Sequence, residues 1–387
     1  MTGDGQSITS RRSLTLDLPP SCLEFSPLFP SYFLIGTYNL HKNEDDTAAS
    51  SSEPQRRDGS IVVYRLAEDE LKLITTKPRP SAILDLRFQP YPGKEDIVGV
   101  VTSTGSLEIF RFEASQQPNL ELLGTVRILG LGEDVLFLSF GWHPTVPDTV
   151  AITTSQGGVH ILQLSPNYQT CRSTHDPVIT HSLETWCTVI SPVPSNPEQF
   201  TLYTGGDDSV LNYATCSISG ADPDDESSLE VQVVYGPMQV PGHNAGVTAI
   251  QPLPCGKDIV VTGSYDDHIR VYSIQGLHET YGMRKTKLLA EENLGGGVWR
   301  LRLIKTEQAN GRWKALLLAS CMHAGARVIE VVGSEDGEVE LKCLARFEEH
   351  KSMNYAGDFQ PGSQDGELVC VSSSFYDKLL ALWSVRL

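Results

Sequence analysis

The sequence lacks the features of a membrane, secreted or metal-binding protein. No stretch approaches the run of about 20 apolar residues that a membrane-spanning helix requires. Residues Met1 to Arg12 are polar and lack the apolar segment of a secretory signal. The eight cysteines are scattered and form no CxxC pair, a spacing common in metal sites. We therefore expect a cytoplasmic protein whose cysteines are mostly buried thiols.

Basic residues are scarce as well. The chain has 30 lysines and arginines against 48 aspartates and glutamates, a formal net charge of −18. Such a surface repels nucleic acids and anionic membranes, because neither counterion release nor attraction to anionic lipids can operate. It suits a cationic partner, although much of the charge serves solubility.

Familiar catalytic motifs are missing, and so is sustained helical periodicity. The sequence contains no GxSxG elbow, no HExxH, no P-loop and no glycine-rich dinucleotide fingerprint. From spacing alone, the chain is typical of a binding scaffold without a cofactor, and the periodicity predicts an all-β fold.

The recurring unit is a short alternating strand that follows a polar or glycine turn. Seven copies start at intervals of 46 to 58 residues, slightly above the ~40–45 of a WD blade. The copies are Ser60–Tyr64, Ser106–Phe110, Gly158–Leu162, Val210–Tyr213, His268–Tyr272, Ala326–Glu330 and Leu379–Trp383. An apolar run precedes each copy. This pattern predicts one seven-bladed WD-repeat β-propeller spanning residues 1–387.

The two ends of the chain predict how the ring closes. The last blade stops on its third strand, and Ser13 to Leu18 form a lone alternating strand. Pairing the two removes an exposed sheet edge. We expect residues 1–12 to be flexible, and His41 to Gly59 to be a disordered loop within blade one. Asp222 to Glu230 is a smaller acidic insert of the same kind.

Binding sites of propellers commonly lie where turns and inter-blade connections meet at the mouth of the central channel. This sequence places a set of aromatic, acidic and histidine residues there. They are His181, Glu184, Trp186, Asp207, Asp208, His243, Asn244, Tyr265, Asp266, Asp267, His323, His350, Tyr355, Tyr376 and Asp377. Structural alternatives stay open: His243 with Asp266 or Asp267, and His350 with Asp377, can brace blades, and Trp186 and Trp299 can pack between blades.

Two segments depart from an ordinary repeat. In Leu294–Arg300, three consecutive glycines permit close backbone approach beside the channel, and Arg300 then enters an innermost strand. An unpaired charge there is unfavourable, so Arg300 needs a partner or a function. In Cys321–Gly325, His323 stands where a repeat usually has an aspartate.

Several segments resemble the signature segments of the diphthine methyl ester hydrolase family, the WD-repeat proteins of diphthamide biosynthesis. They are Gly36–Tyr38, His181–Trp186, Tyr203–Asp208, Gly263–Ile269, Gly296–Leu301, Cys321–His323, Asn354–Phe359, Ser374–Asp377 and Leu382–Trp383. The resemblance covers blades four to seven well and blades two and three poorly. The chain departs from the family at Tyr213, where a tryptophan is usual, and in the rearranged segment Tyr355–Phe359.

The resemblance implies hydrolysis of the methyl ester of methylated diphthine on translation elongation factor 2, which releases methanol and gives diphthine for the final amidation. It implies an enzyme without metal or cofactor, which we expect to be a monomer. The substrate carries a trimethylammonium group, which aromatic and acidic side chains bind by cation–π and charge attraction. The residues expected to do so are Trp186, Trp299, Tyr265, Tyr355, Tyr376, Asp207 and Asp266.

For the mechanism implied by this resemblance, we expect direct attack by water with a histidine as general base. His323, oriented by Asp358 or Glu184, is the first candidate, and His243 is the second. Arg300, or the amides of Gly296 and Gly297, would stabilise the oxyanion. Three alternatives remain: metal assistance at His323 and nearby carboxylates, a non-catalytic adaptor that docks elongation factor 2 or other partners, and a WD scaffold unrelated to diphthamide.

Overall fold

A computed structural model describes residues 5–41, 55–222, 225–255, 258–276, 284–334, 337–362 and 366–387. These residues form strands, turns and connections, and none of them lies in a helix. Accordingly, no helix long and apolar enough to cross a membrane occurs in this part of the chain. The prediction of an all-β fold is confirmed.

The strands follow one another in short antiparallel groups. The first half of the chain contains β1 (Gln6–Ile8), β2 (Arg12–Thr15), β3 (Pro20–Phe25), β4 (Tyr32–Thr37), β5 (Asn39–Leu40), β6 (Arg57–Ala67), β7 (Glu70–Arg79), β8 (Ile83–Phe88), β9 (Ile97–Thr102), β10 (Leu107–Glu113), β11 (Asn119–Val126), β12 (Phe137–Trp142), β13 (Thr149–Thr154), β14 (Gly158–Leu164), β15 (Cys171–Ser173), β16 (Ile179–Thr180), β17 (Thr185–Pro192) and β18 (Gln199–Gly206).

The second half contains β19 (Leu211–Asp222), β20 (Asp225–Val240), β21 (Val247–Pro254), β22 (Asp258–Ser264), β23 (His268–Ile274), β24 (Thr286–Asn293), β25 (Arg300–Ala309), β26 (Arg312–Ser320), β27 (Ala326–Ser334), β28 (Val339–Phe347), β29 (Ala356–Phe359), β30 (Glu367–Ser373) and β31 (Leu379–Arg386). The described strands form six sheets. We call each antiparallel group of about four successive strands a unit, and the nine-stranded sheet joins two such units.

Burial explains the apolar runs of the sequence. The second strand of a unit lies between its own neighbours and the faces of adjacent units, so that all six residues of β9 and of β13 are buried. Space there is tight: a side chain at Gly99 in β9 would collide with the rings of Phe140 and Trp142 of the next unit. Outer strands such as β7 are mostly exposed and polar. The core therefore lies between units rather than within one sheet.

The first strands of the units line a common interior. β3 contacts β8, β8 contacts β12, and contacts continue through β17, β21, β25 and β29, which in turn contacts β3. Residues at the start of these strands therefore come from distant parts of the sequence and meet at one mouth. This arrangement positions the candidate site.

The N-terminal segment is ordered and pairs with two different sheets. β2 pairs antiparallel with β31, as in Ser13↔Ala381. β1 pairs parallel with β28, as in Ser7↔Arg346. The expectation that residues 1–12 are flexible is therefore wrong for Gln6–Ile8, because Ile8 is buried in an apolar cluster that contains Trp383. Residues 1–4 lie outside the described residues.

Both expected inserts have ordered stems. β5 pairs with β6, and the Asn39 side chain donates to Asp58 at 2.9 Å. The expectation of a disordered loop from His41 to Gly59 is therefore wrong for its C-terminal end, and residues 42–54 lie outside the described residues. The segment Asp222–Glu230 lies mostly in β20, which forms a long hairpin with β19 and meets β15 at Ser173↔Ser228. Backbone pairing thus outweighs the polar composition of both segments.

Candidate functional site

Four aromatic side chains meet where the first strands begin. Trp299 lies at the centre: its ring centroid is 5.5 Å from that of Trp186, 5.8 Å from that of Tyr265 and 4.9 Å from that of Tyr355. All four are partly exposed. We call these four residues the aromatic mouth. Partly exposed aromatic rings that cluster in this way attract cations through their π faces.

Strand ends hold these rings in place. Trp186 is the second residue of β17, while Trp299 and Tyr355 directly precede β25 and β29. The Trp299 N–H donates to the carbonyl of Ser320 at 2.8 Å, and the Tyr265 N–H donates to that of Gly246 at 2.9 Å. The rings are therefore positioned by backbone that the sheets have already ordered.

The aromatic surface extends beyond the mouth. Phe375 lies 5.6 Å from Tyr355 and 5.1 Å from Tyr376, whose side chain is 70% exposed. Tyr38 lies 6.1 Å from Phe375 on the other side. Phe375 and Tyr38 were missing from the predicted site, although both fall within segments that carry the family resemblance.

Carboxylates give the mouth a negative rim. The Trp186 indole N–H donates to Asp207 at 2.6 Å, and the Asp207 N–H donates to the carbonyl of Glu184 at 2.9 Å. Burial and the neighbouring Glu184 and Asp208 raise the pKa of Asp207. Burial and the nearby Asp207 raise the pKa of Tyr265. Burial is the larger cause of both shifts, and the neighbouring acids add to it. The carboxylates themselves place negative charge beside the rings, which favours a cation at this position.

Asp266 does not belong to this rim. Its carboxylate accepts hydrogen bonds from Arg270 at 2.9 Å and from the N–H of Asn244 at 2.8 Å. Burial opposes ionisation of Asp266, but these partners outweigh it and lower its pKa to about 2. The carboxylate of Asp266 is therefore already engaged by the buried Arg270 and by a backbone N–H. These contacts do not support the prediction that Asp266 binds substrate.

The buried histidines brace the fold without the predicted direct aspartate partners. His243 contacts the Thr262 hydroxyl at 2.9 Å, and His350 contacts Ser372 at 2.8 Å, which also accepts the Trp383 indole N–H. Burial lowers the pKa of both histidines to about 4. No direct bond joins His243 to Asp266 or Asp267, or His350 to Asp377, among the described residues. A direct pair does form between His181 and Asp208, at 2.9 Å.

The proposed catalytic group of histidine and acid is not assembled. His323 is exposed in the turn between β26 and β27. Asp358 is buried in the interior, where it accepts the Phe25 N–H at 2.8 Å and lies 3.8 Å from Arg302. Glu184 lies beside Asp207 at the mouth. The expectation that Asp358 orients His323 is wrong, because Asp358 faces the interior and His323 the solvent.

The glycine run serves close packing. A side chain on Gly296 would collide with the carbonyl of Cys321, and one on Gly297 would lie 2.7 Å from the Met322 sulfur. Gly295 has a φ of 83°, in the left-handed region that favours glycine. The three glycines therefore let the connection between β24 and β25 pack closely against the turn that follows β26. This packing accounts for the glycines without an oxyanion-binding role.

Below the mouth lies a cavity of about 100 Å³, which Trp186 and Trp299 line together with charged side chains. We call it the channel cavity. Arg300 donates to Asp85 at 2.9 Å, and Arg87 donates to the same carboxylate at 3.0 Å. Burial opposes ionisation of Asp85, but Arg300 and Arg87 outweigh it and lower its pKa. Arg300 thus has the partner that its position requires. Asp85 and Arg87 were not recognised as site residues, because nothing local to β8 shows that Arg300 faces them.

A second ion cluster continues along the interior. Arg302, which also lines the channel cavity, lies 3.1 Å from Glu24. Burial raises the pKa of Glu24 and of Asp358 despite this arginine. Burial also holds the pKa of several thiols high, and six of the eight cysteines are buried. Across the residues with described positions, no three histidine, cysteine, aspartate or glutamate side chains group as metal ligands.

Comparisons with known proteins agree with this architecture. Residues 237–273 match the model of the WD domain, G-beta repeat. A crystal structure of Sqt1 from Saccharomyces cerevisiae superimposes with a TM-score of 0.54 at 11% identity, covering 100% of both chains. At that identity the likeness shows the fold alone. The chain is therefore an all-β protein with a WD repeat and a propeller-like fold.

Curated relatives match nearly the whole chain. A protein of Schizosaccharomyces pombe is 27% identical over 95% of both chains. A human protein is 25% identical over 90% of this chain and 74% of its own length. One from Saccharomyces cerevisiae is 25% identical over 95% of this chain and 96% of its own. All three are named diphthine methyltransferase.

These names overturn the predicted reaction. They describe methyl transfer, whereas the sequence resemblance implied an ester hydrolase that removes a methyl group. The prediction of methyl ester hydrolysis is therefore wrong by this comparison, and the adaptor alternative gains no support from it. The chain is similar, over nearly its entire length, to proteins named diphthine methyltransferase.

Proposed function

We propose that this chain binds the diphthine side chain of translation elongation factor 2 and takes part in methyl transfer on it. The single observation that carries the binding is the aromatic mouth, in which three rings surround Trp299 next to the Asp207 carboxylate. Aromatic faces and nearby carboxylates are what a trimethylammonium group prefers. The names of the relatives carry the reaction class.

Within this proposal, each residue of the mouth has a defined part. Trp299 and Tyr355 offer ring faces to the cation, and Trp186 does so while its indole N–H holds Asp207. Asp207 and Glu184 supply negative charge without touching a buried arginine. The net charge of −18 adds attraction at longer range, and salt weakens this attraction.

A methyl transfer needs a methyl donor such as S-adenosylmethionine, and the channel cavity does not fit one. Its volume is about 100 Å³, below the ~300 Å³ at which sites for ligands of that size begin. A groove of about 960 Å³ has room, but it is lined by outer residues such as Gln163 and Arg172 and by none of the mouth. The mouth therefore serves in binding and orientation of the diphthine side chain.

We also propose that the strands form seven blades of one closed ring. The successive contacts of the first strands, from β3 to β29 and back to β3, support seven blades. The pairing of β2 with β31 supports closure by the N-terminal strand. A ring presents one broad face to a folded partner, which suits a domain of elongation factor 2. We therefore also propose that the protein works in the cytoplasm, together with the translation factor.

The experiment mixes the purified full chain with elongation factor 2 carrying diphthine, and with unmodified factor as control. We expect binding that depends on the modification and weakens with salt. The mass of the factor is then followed with and without S-adenosylmethionine. A mass gain of one methyl group that requires the donor supports transfer.

Two results overturn the proposal in different parts. Equal binding of modified and unmodified factor removes the role of the mouth. Binding can instead depend on the modification while the mass of the factor stays unchanged or changes without the donor. That result would refute methyl transfer and leave the recognition of diphthine in place. The matched variants are Trp299→Leu, inside the mouth, and Tyr91→Leu, an aromatic residue in the connection between β8 and β9, at the opposite end of β8 from the start of that strand.

A further inference from the structure

The strand β20, the outermost of the unit that begins with β17, leaves one of its edges free. It is 16 residues long and pairs with β19 along its other edge. On the free side, the described part of the chain supplies one paired position, where Ser228 meets Ser173 of β15. Residues Glu230 to Gln239 are exposed or half-buried. Their outward-pointing N–H and C=O groups can therefore pair with a further strand.

Outer strands elsewhere in the structure are protected from such pairing. β1 covers β28, and the Gln169 side chain donates to the backbone of β11 at Leu123. β7 and β24 are exposed, but they carry four and three charged residues respectively. In β20, residues 231–240 carry no charge, although 20% of the residues of the chain are charged. Charged side chains keep free edges apart, so their absence leaves this edge open to pairing.

The side chains of this strand also favour association. Val233 and Val234 are 38% and 42% exposed, and β-branched side chains are well suited to strands. The regular part of the edge is short, because a register shift opposite Thr215 indicates a bulge at Val234, and Pro237 lacks an N–H. We call Glu230–Tyr235 the β20 edge. A pairing of this length predicts a weak, reversible association rather than a permanent complex.

The two ends of the β20 edge carry opposite charges. Glu230 is exposed at one end. At the other end, the Arg284 N–H donates to the Tyr235 hydroxyl at 3.1 Å, and the guanidinium lies 5.7 Å from the Tyr235 ring centroid. Within the described residues, the buried Nε of Arg284 has no hydrogen-bond partner, and the next residue is the exposed Lys285. An antiparallel copy of the same edge therefore brings each Glu230 towards Arg284 and Lys285 of the other copy.

We propose that the β20 edge is an interface between two copies of this chain, which pair antiparallel around a two-fold axis. The antiparallel direction follows from the charges, since a parallel pairing would place the two Glu230 carboxylates side by side. The aromatic mouth lies at the start of the first strands, whereas β20 is the fourth strand of its unit. Both mouths consequently remain open in the pair, and the interface does not depend on the proposed function.

The test is sedimentation velocity of the full chain over a range of about 1 to 300 µM, which brackets the affinity of a small interface. We expect a reversible equilibrium between monomer and dimer with a dissociation constant of about 10–100 µM. Hydrogen exchange supplies a second readout, because the amides of the β20 edge should exchange more slowly at high concentration. A wild-type chain that stays monomeric throughout, which is the expectation from the sequence, would overturn the proposal.

Val233→Lys places a charge within the β20 edge and should abolish the dimer. The matched control is Leu122→Lys, since Leu122 is 42% exposed in β11, whose backbone Gln169 already contacts, and this variant should dimerise like the wild type. Glu230→Lys changes an exposed residue, so it tests the interface even if Val233→Lys fails to fold. It should raise the dissociation constant about 2- to 30-fold, the effect of losing two surface ion pairs. An unchanged dimer in folded Val233→Lys or in Glu230→Lys overturns the proposal, and so does loss of the dimer in Leu122→Lys.

Discussion

Replacing Trp299 with leucine removes the ring that the other three residues of the mouth contact. Leucine keeps an apolar side chain at the position, and the backbone bond from residue 299 to Ser320 remains. The main loss is the cation–π contact, about 0.5–2 kcal/mol. This corresponds to a dissociation constant for a quaternary ammonium that is roughly 2- to 30-fold higher.

Two ligands of equal shape separate this contact from packing. Choline carries a trimethylammonium group, and 3,3-dimethylbutan-1-ol has a neutral tert-butyl group in its place. The wild-type protein should prefer choline, because only the cation interacts with the ring quadrupole and with Asp207. In Trp299→Leu the preference should fall, while weak binding of the neutral alcohol changes less. Calorimetric titration of both ligands measures the ratio directly.

Tyr376→Leu provides the control. Tyr376 is 70% exposed and lies outside the aromatic mouth, so its removal should change the ratio by less than that of Trp299. Thermal melting of each variant shows whether it is folded. A folded Trp299→Leu protein with the choline preference of the wild type would refute the assignment of the cation site.

Three further predictions concern the fold. Deleting residues 1–15 removes β1 and β2 and exposes two sheet edges, so we expect a lower melting temperature and aggregation; a truncated monomer that melts like the full chain would contradict this. Gly296→Ala should destabilise more than Gly297→Ala, by about 1–3 kcal/mol in denaturant titrations, because it meets a backbone carbonyl rather than a flexible methionine 2.7 Å away. Burial lowers the pKa of His143 to about 4. Below about pH 6.5 this histidine binds a proton in the unfolded chain but stays neutral in the folded one, so the free energy of unfolding falls as the pH drops from about 6.5 towards 4. In His143→Gln the slope of the free energy of unfolding against pH should decrease by up to about 1.4 kcal/mol per pH unit.

The repeat pattern was sufficient for the fold class, since strands that bury both faces need continuous apolar runs wherever they occur. The alternation in Ser13–Leu18 likewise indicated that β2 would pair with the last strand, β31. The parallel strand β1 could not be anticipated, because its burial depends on Trp383 and other residues far along the chain. The ordered stems of the polar inserts could not be anticipated either, because backbone pairing is independent of side-chain polarity.

The same division between what the sequence indicates and what the tertiary structure decides holds for the candidate site. Residue types and turn positions were enough to place Trp186, Trp299, Tyr265 and Tyr355 at one mouth, because first strands of successive units begin at the same end of the interior. The partners of each charge were decided only by tertiary structure. Arg300 and Asp85 are 215 positions apart in the chain, and they meet because β8 and β25 both border the common interior. A charge in an innermost strand thus predicts that a partner is needed, and only the arrangement of the sheets around their common interior determines which residue it is.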